Sequence, residues 1–194
     1  MSRRIVPLLA GLVAGVAAVV AVFAIADDAR TDTDVVLDEP GEYQEPGIPT
    51  NAPLTGERLG VATVVDLDSN EVDTGSLLDG RPLLVNFWFS NCQPCKREMP
   101  ALQAAFLQYG DTVRFVGVNT QDSETITRSF ADDVGVTYEL LRDPDARLVT
   151  VNGVATFPTT LFVAPDGTVV RQIAGEVSAA ELTTALDELV GGTR

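Results

Sequence analysis

An almost continuous apolar segment, residues 83–89, leads directly into the only two cysteines of the chain. Its branched and aromatic side chains are typical of a strand that is buried on both faces of a sheet. The cysteines follow as Cys92-Gln93-Pro94-Cys95, and Pro94 suits the first turn of a helix that we expect to run to about Tyr109. A buried strand that passes at once into a helix predicts an α/β architecture.

The pattern of the remaining residues extends this prediction. The segments 61–67 and 71–74 flank the turn residues 68–70, and the segments 159–163 and 168–173 flank Pro165-Asp166-Gly167, so each pair is predicted to form a β-hairpin. A further buried strand is predicted at 113–119, and helices are predicted at 123–134, at 144–151 and from Ser178 onward. The expected fold is a mixed central sheet flanked by helices, with an N-terminal β-hairpin extension.

Residues 5–26 form a run of 22 residues without a charge. As a helix the run would be about 33 Å long, which is enough to cross a hydrocarbon layer of about 30 Å. Because Arg3 and Arg4 precede it, residues 1–4 are expected in the cytoplasm and everything after the run beyond the membrane. Ala24-Ile25-Ala26 also fits a signal-peptide cleavage site, which would make the chain secreted. The length of the run favours a retained single-pass transmembrane helix.

The next segment, residues 27–57, is predicted to be a spacer. Its first twenty residues hold eight acidic side chains against one arginine, and Pro, Gly and Thr are frequent in the rest. Such dense like charges repel one another, and few apolar side chains are available to offset the entropy of ordering. The folded domain is therefore expected at residues 58–194.

The charge and the composition exclude several classes of function. The 28 acidic and 13 basic residues leave a net charge of -15, which argues against binding to nucleic acid. The chain contains no histidine, so imidazole bases, Cys-His nucleophiles and imidazole metal sites are excluded. Two cysteines are too few for a zinc site of four thiolates. No metal or bound cofactor is expected, apart from a redox-active disulfide between Cys92 and Cys95.

These exclusions leave thiol chemistry as a reaction class that the two cysteines can perform. Cys92 is expected at the start of a helix, where the helix dipole and free N–H groups favour the thiolate. A spacing of two residues lets Cys92 attack the disulfide of a partner and lets Cys95 displace that partner. A haem attachment site would need His after the second cysteine, where this chain has Lys96. The alternative is a structural pair without catalytic function.

The segment 85–100, with Cys92-Gln93-Pro94-Cys95 at its centre, resembles the active-site segment of the TlpA/ResA-type thioredoxin-like proteins. These are membrane-anchored, extracytoplasmic thiol-disulfide oxidoreductases. The resemblance covers about residues 58–194 and includes Phe157-Pro158-Thr159-Thr160, which matches the cis-proline loop of the family. It implies a thioredoxin fold in which Pro158 is cis and faces the cysteines, with its neighbouring backbone pairing with the substrate chain.

The resemblance also implies that Glu98, three residues after the second cysteine, tunes the pair. Cytoplasmic thioredoxins carry a buried Asp where this chain has Asn86, and an amide cannot exchange a proton, so any proton transfer that assists Cys95 has to come from another carboxylate. A solvated helix glutamate is the alternative for Glu98. Asn91 stands where the family usually has Trp, which leaves partner recognition open.

Three further residues near the cysteines are expected to have structural rather than catalytic positions. Trp88 is expected to pack in the core beside the site, and Lys96 and Arg97 are expected on a solvated helix face.

Catalysis through Cys92, Cys95, Glu98 and Pro158 is thus predicted, with exported protein thiols and disulfides as substrates. The expected direction is reduction, as in cytochrome c maturation, with a membrane thiol carrier as electron donor or acceptor. One alternative is a dithiol oxidase that forms disulfides in secreted proteins. Another is an anchored binding module with a non-catalytic cysteine pair. A peroxidase is disfavoured by the close cysteine spacing.

Overall fold

The computed structural model describes residues 50–192. The predicted transmembrane helix at 5–26 and residues 27–49 of the predicted spacer lie outside this range. Within residues 50–192, no helix is both long enough and apolar enough to cross a membrane.

Across residues 50–192, seven strands form one sheet. The strands are β1 Thr63–Asp66, β2 Glu71–Asp73, β3 Leu83–Trp88, β4 Arg114–Asn119, β5 Glu139–Arg142, β6 Thr159–Val163 and β7 Val169–Ala174. Their order in the sheet is β2-β1-β5-β4-β3-β6-β7. The pairs β3-β4 and β4-β5 are parallel and the other pairs are antiparallel, so the expected mixed sheet is confirmed. The helices are α1 Gln93–Tyr109, α2 Glu124–Val134, α3 Arg147–Val151 and α4 Ala179–Gly191, and a 3-10 turn covers Thr74–Leu77.

Side chains that alternate along β3 enter two separate hydrophobic clusters. Leu84 and Trp88 pack with residues of α1, α2 and α4, whereas Leu83, Val85 and Phe87 pack with Leu148 of α3. Because successive side chains of a strand point to opposite faces, helices cover both faces of the sheet. All six residues of β3 are buried, as the apolar run predicts. Asn86 shares a face with its neighbours in the first cluster and so points toward α1.

Polar side chains set the starts of two predicted helices. Ser123 accepts the backbone N–H of Ile126 at the start of α2, and Ser178 accepts that of Glu181 at the start of α4. Such contacts satisfy donors that have no partner inside the helix. The predicted starts of both helices are confirmed to within one residue.

The sequence prediction differs from the structure at three main places. The folded part begins before the predicted boundary at residue 58, because Leu54 is buried in the second hydrophobic cluster and the N–H of Gly56 donates to the carbonyl of Val169 at 2.8 Å.

The strand β5 was not expected, because it has four residues and only Leu141 is fully buried, which is too short for a period of two to be recognised. The helix predicted at 144–151 begins only at Arg147. The carboxylate of Asp143 accepts the N–H groups of Arg147 and Val149 and thereby organises this late start.

Candidate active site

The two cysteines lie at the start of α1, directly after β3. Cys92 is the N-cap residue of the helix, and its Sγ accepts the backbone N–H of Cys95 at 3.2 Å. The two residues form a disulfide with their Cα atoms 5.2 Å apart. Cys92 keeps 5% of its surface exposed and Cys95 keeps none. The first cysteine is thus the less buried of the two, which fits the attacking and resolving roles predicted for the pair.

A carboxylate that the sequence analysis did not single out holds the loop before the cysteines. Asp122, which follows β4, accepts the backbone N–H of Ser90 at 2.7 Å and its hydroxyl at 2.8 Å. Asn119 donates its Nδ2 to the same carboxylate at 2.7 Å. The carboxyl ends of β3 and β4 meet at one edge because the strands are parallel. The polar residues directly after β4 were the available signal for this anchor.

Glu98 lies one helical turn beyond Cys95 and is 1% exposed. Its Oε1 accepts the Nδ2 of Asn86 at 2.8 Å, and its Oε2 accepts the backbone N–H of Val177 at 2.9 Å. Burial, with a smaller contribution from the charge of Glu176, raises the pKa of this carboxyl to about 7 against the lowering effect of the two hydrogen bonds. The alternative of a solvated glutamate is therefore wrong. The carboxyl can take up or release a proton near neutral pH.

Asn86 connects this carboxyl to the neighbouring strand. It pairs with Thr160 across the β3-β6 register, and its Nδ2 donates to the Thr160 hydroxyl at 3.0 Å as well as to Glu98. Its Oδ1 is buried and has no hydrogen-bond partner among the described residues. From the sequence, Asn86 is expected only to be a group that cannot titrate. Its position as the one polar residue in an apolar strand was a signal for a buried polar contact.

A buried tyrosine completes the surroundings of this carboxyl. The hydroxyl of Tyr138 donates to Met99 Sδ at 3.2 Å on the adjoining part of α1. Burial raises the pKa of Tyr138, and the charge of Glu98 adds to the rise. Tyr138 therefore stays neutral.

The peptide bond between Phe157 and Pro158 is cis, as predicted. Thr159 pairs with Phe87 in the register of β6 and β3, so Pro158 lies at the carboxyl end of β3, at the same edge as the cysteines. The rings of Phe157 and Phe89 meet edge to face at 5.5 Å. The carbonyl of Pro158 accepts the N–H of Gly175 at 2.8 Å.

The remaining residues of the predicted site lie around this centre. Trp88 is buried and stacks on Phe130 at 5.0 Å, which confirms its position in the core. Lys96 and Arg97 are exposed on α1, as expected, and Arg97 forms an ion pair with Glu176. Asn91 is exposed beside the cysteines.

A family model places the chain among known proteins. The model of the AhpC/TSA family matches residues 55–172, which is more than half of the chain. The chain belongs to the AhpC/TSA family. The match includes the cysteines, Glu98 and Pro158, whereas Val177, which donates to Glu98, lies beyond it.

Individual members of the wider group agree with the resemblance found in the sequence. The thiol-disulfide oxidoreductase ResA of Oceanobacillus iheyensis is 28% identical over 126 residues, which span 62% of this chain and 66% of ResA. A secreted disulfide oxidoreductase of Mycobacterium tuberculosis, homologous to E. coli DsbE, is 26% identical with a TM-score of 0.60. The dsbF protein of MTB is 29% identical with a TM-score of 0.61. The alignments with the two solved structures each cover 66% of this chain, and they cover 96% and 94% of the solved chains.

These findings confirm the predicted family resemblance and the fold. The domain has a thioredoxin-like α/β fold, and it is a thiol-disulfide oxidoreductase of the ResA and DsbE type with a cysteine pair at the start of a helix. The alignment with ResA leaves about a third of each chain unmatched.

Proposed function

We propose that this chain is a membrane-anchored, extracytoplasmic reductant of disulfides in exported proteins, such as the cysteine pairs of apocytochromes c during cytochrome c maturation. The observation that carries the proposal is the buried carboxyl of Glu98, whose pKa is raised to about 7, one turn behind a cysteine pair in which Cys92 keeps 5% of its surface exposed and Cys95 keeps none. The name of the ResA relative and the position of this carboxyl support a catalytic rather than a merely structural pair.

In the first step the Cys92 thiolate attacks a disulfide of the substrate. A mixed disulfide forms, and one substrate sulfur leaves as a thiolate. The Cys95 thiol then loses its proton and attacks Cys92 Sγ, which forms the Cys92–Cys95 disulfide and releases the second substrate thiolate. Two electrons have passed from the cysteine pair to the substrate. A membrane dithiol carrier reverses these steps on the oxidised pair and is itself oxidised.

Glu98 accepts the proton of Cys95 in the second step. A general base works best when its pKa lies near the operating pH, and burial brings the pKa of Glu98 to about 7. Asn86 and the Val177 N–H both donate to this carboxyl and stabilise the carboxylate form, whereas burial favours the protonated form.

The reduction potential of the pair and its redox state in cells test the direction of the reaction. A potential near that of thioredoxin, about -270 mV, with the pair reduced in cells would support a reductant. A potential near that of DsbA, about -120 mV, with the pair oxidised in cells would instead indicate an oxidase. Loss of Cys92 without any effect on exported thiols would indicate a binding module.

The uncharged run at residues 5–26, preceded by Arg3 and Arg4, supports the membrane anchor. The secreted relative from Mycobacterium tuberculosis supports a position outside the cytoplasm. Fractionation of cells, together with the N-terminal sequence of the mature protein, tests this part of the proposal. A mature chain that begins at Asp27 and separates from the membrane would contradict the anchor.

A further inference from the structure

Three consecutive residues between β7 and α4 each contact a different part of the site. We call them the clamp loop, residues 175–177. The N–H of Gly175 donates to the carbonyl of Pro158 at 2.8 Å, and the N–H of Val177 donates to Glu98 Oε2 at 2.9 Å. Between them, the carboxylate of Glu176 accepts hydrogen bonds from the guanidinium of Arg97. The clamp loop thus joins the helix that carries the cysteines to the strand that begins at the cis-proline.

The backbone of the clamp loop is shaped for these contacts. Gly175 has a φ of 98°, in a region that disfavours a side chain. Val177 is buried, and the next residue, Ser178, caps α4. The loop is therefore anchored at its rear by β7 and α4. Toward α1, the Val177 side chain packs in the cluster that contains Met99 and Leu102, and the polar contacts are the hydrogen bond from the Val177 N–H to the Glu98 side chain and one ion pair.

That ion pair is formed by Arg97 on α1 and Glu176 on the clamp loop. Both Nε and Nη2 of Arg97 donate to Glu176 Oε2, at 2.8 and 2.6 Å. The two side chains retain 59% and 37% of their exposure, so the pair can be removed without leaving a buried charge. Arg97 directly precedes Glu98, and Glu176 directly precedes Val177, so the ion pair stands beside the hydrogen bond between those neighbours.

We propose that Arg97 and Glu176 are positioning residues whose ion pair holds the clamp loop against α1, so that its two N–H groups keep the Pro158 carbonyl and the Glu98 carboxyl in place for exchange with peptide disulfides. This inference rests on the proposed function. Without the ion pair the clamp loop moves more freely, and the backbone beside Pro158 is less well ordered when a peptide substrate pairs with it. The binding of peptide disulfides is weakened more than the reactivity of the thiols themselves.

The test uses the full chain in its reduced form, with Arg97→Ala and Glu176→Ala compared with the native protein. The probe is a synthetic peptide that carries an oxidised Cys-x-x-Cys-His sequence, and the aryl disulfide DTNB reports thiol reactivity in each variant. Since an exposed ion pair stabilises by a modest amount, KM for the peptide should rise about two- to fivefold in both variants while kcat is largely kept. The charge-reversed double variant R97E/E176R should bring KM back toward the native value.

The matched control is Glu188→Ala. Glu188 pairs with Arg171 at 3.0 Å and links α4 to β7, but neither of these side chains contacts α1 or the clamp loop in any hydrogen bond or ion pair that joins the described residues. KM should be unchanged in this variant.

Opposite changes of KM in Arg97→Ala and Glu176→Ala would overturn the inference, because they would show a response to local charge rather than to the position of the loop. An unchanged KM in both variants, or no recovery in the double variant, would overturn it as well. If the native protein reacts with DTNB and with the peptide, the proposed function stands whatever the variants do. If the native protein fails to exchange with either disulfide, the proposed function itself is contradicted.

Discussion

Replacing Glu98 by Gln should remove a pH dependence of stability that the native protein shows between about pH 4.5 and about pH 7. In the folded chain the carboxyl is almost fully buried, and burial raises its pKa from 4.5 to about 7. In the unfolded chain the carboxyl is solvated and returns to its ordinary value. The folded state therefore binds this proton more tightly than the unfolded state does.

The sign and the size of the effect follow from this difference. Between the two pKa values the folded protein holds more protons than the unfolded protein, so the free energy of unfolding falls as the pH rises. The stabilisation is fully present below the unfolded pKa and is lost once the pH has passed the folded pKa. A rise from 4.5 to about 7 corresponds to about 3 kcal/mol in total, at about 1.4 kcal/mol for each pKa unit.

The chain offers an unusually clear window for this measurement. It contains no histidine, and its two cysteines are joined in the oxidised form, so neither residue type titrates between about pH 5 and about pH 8. Among the described residues, the pKa values of three other carboxyls are shifted. Hydrogen bonds lower them, so these groups titrate in more acidic solution; they are Asp66, Asp79 and Asp166.

The assay is urea denaturation of the oxidised full chain in detergent, followed by the fluorescence of Trp88, the only tryptophan. From about pH 5 to about pH 8 the native protein should lose about 2 to 3 kcal/mol of unfolding free energy, whereas Glu98→Gln should lose almost none. The unpartnered Oδ1 of Asn86 can accept the new amide if the Asn86 side chain turns over, so the variant keeps its hydrogen bonds. Glu188→Gln, at an exposed site, should behave as the native protein. Equal pH dependence in the native protein and Glu98→Gln would refute the argument.

Three further predictions concern other residues of the site. Cys95→Ser should accumulate mixed disulfides with substrate on non-reducing gels, because no thiol remains to displace the partner, and an absence of trapped species would contradict the resolving role. Thr160→Val deprives the buried Asn86 amide of an acceptor and should lower the free energy of unfolding by about 1 kcal/mol; equal urea midpoints would show that the hydrogen bond is not needed. Asp122→Ala leaves Ser90 without its acceptor, so the free energy of unfolding measured in urea should fall by about 1 to 3 kcal/mol. The alkylation rate of the reduced active-site thiol should also change. An unaltered rate would show that this anchor does not affect the chemistry of the thiol.

The parts of the fold that the sequence predicted depend on neighbouring residues. The burial of β3 follows from a contiguous apolar run, and the place of Cys92 at a helix start follows from the strand before it and Pro94 after it. The hairpin of β6 and β7 follows from turn residues between two extended segments. In each case the determining side chains lie within a few residues of one another.

The parts that were missed depend on distant segments. The strand β5 is stabilised by pairing with β4 and with β1, and its own four residues carry little pattern. The anchoring of Ser90 by Asp122 joins the ends of two strands that are adjacent only in the sheet. Neither contact could be recognised from a local period of apolar residues.

The sequence by itself determined that this chain performs thiol chemistry in a thioredoxin-like domain, because a cysteine pair after a buried strand, a matching Phe157-Pro158 segment and the lack of histidine all lie in the order of residues. Only the tertiary structure decided the burial and the raised pKa of Glu98. Its carboxyl is enclosed by Asn86 from β3, which lies 12 residues away along the chain, and by Val177 from the clamp loop, which lies 79 residues away. The protonation of a carboxyl depends on the water that surrounds it and on the partners within hydrogen-bond distance, and folding alone supplies both.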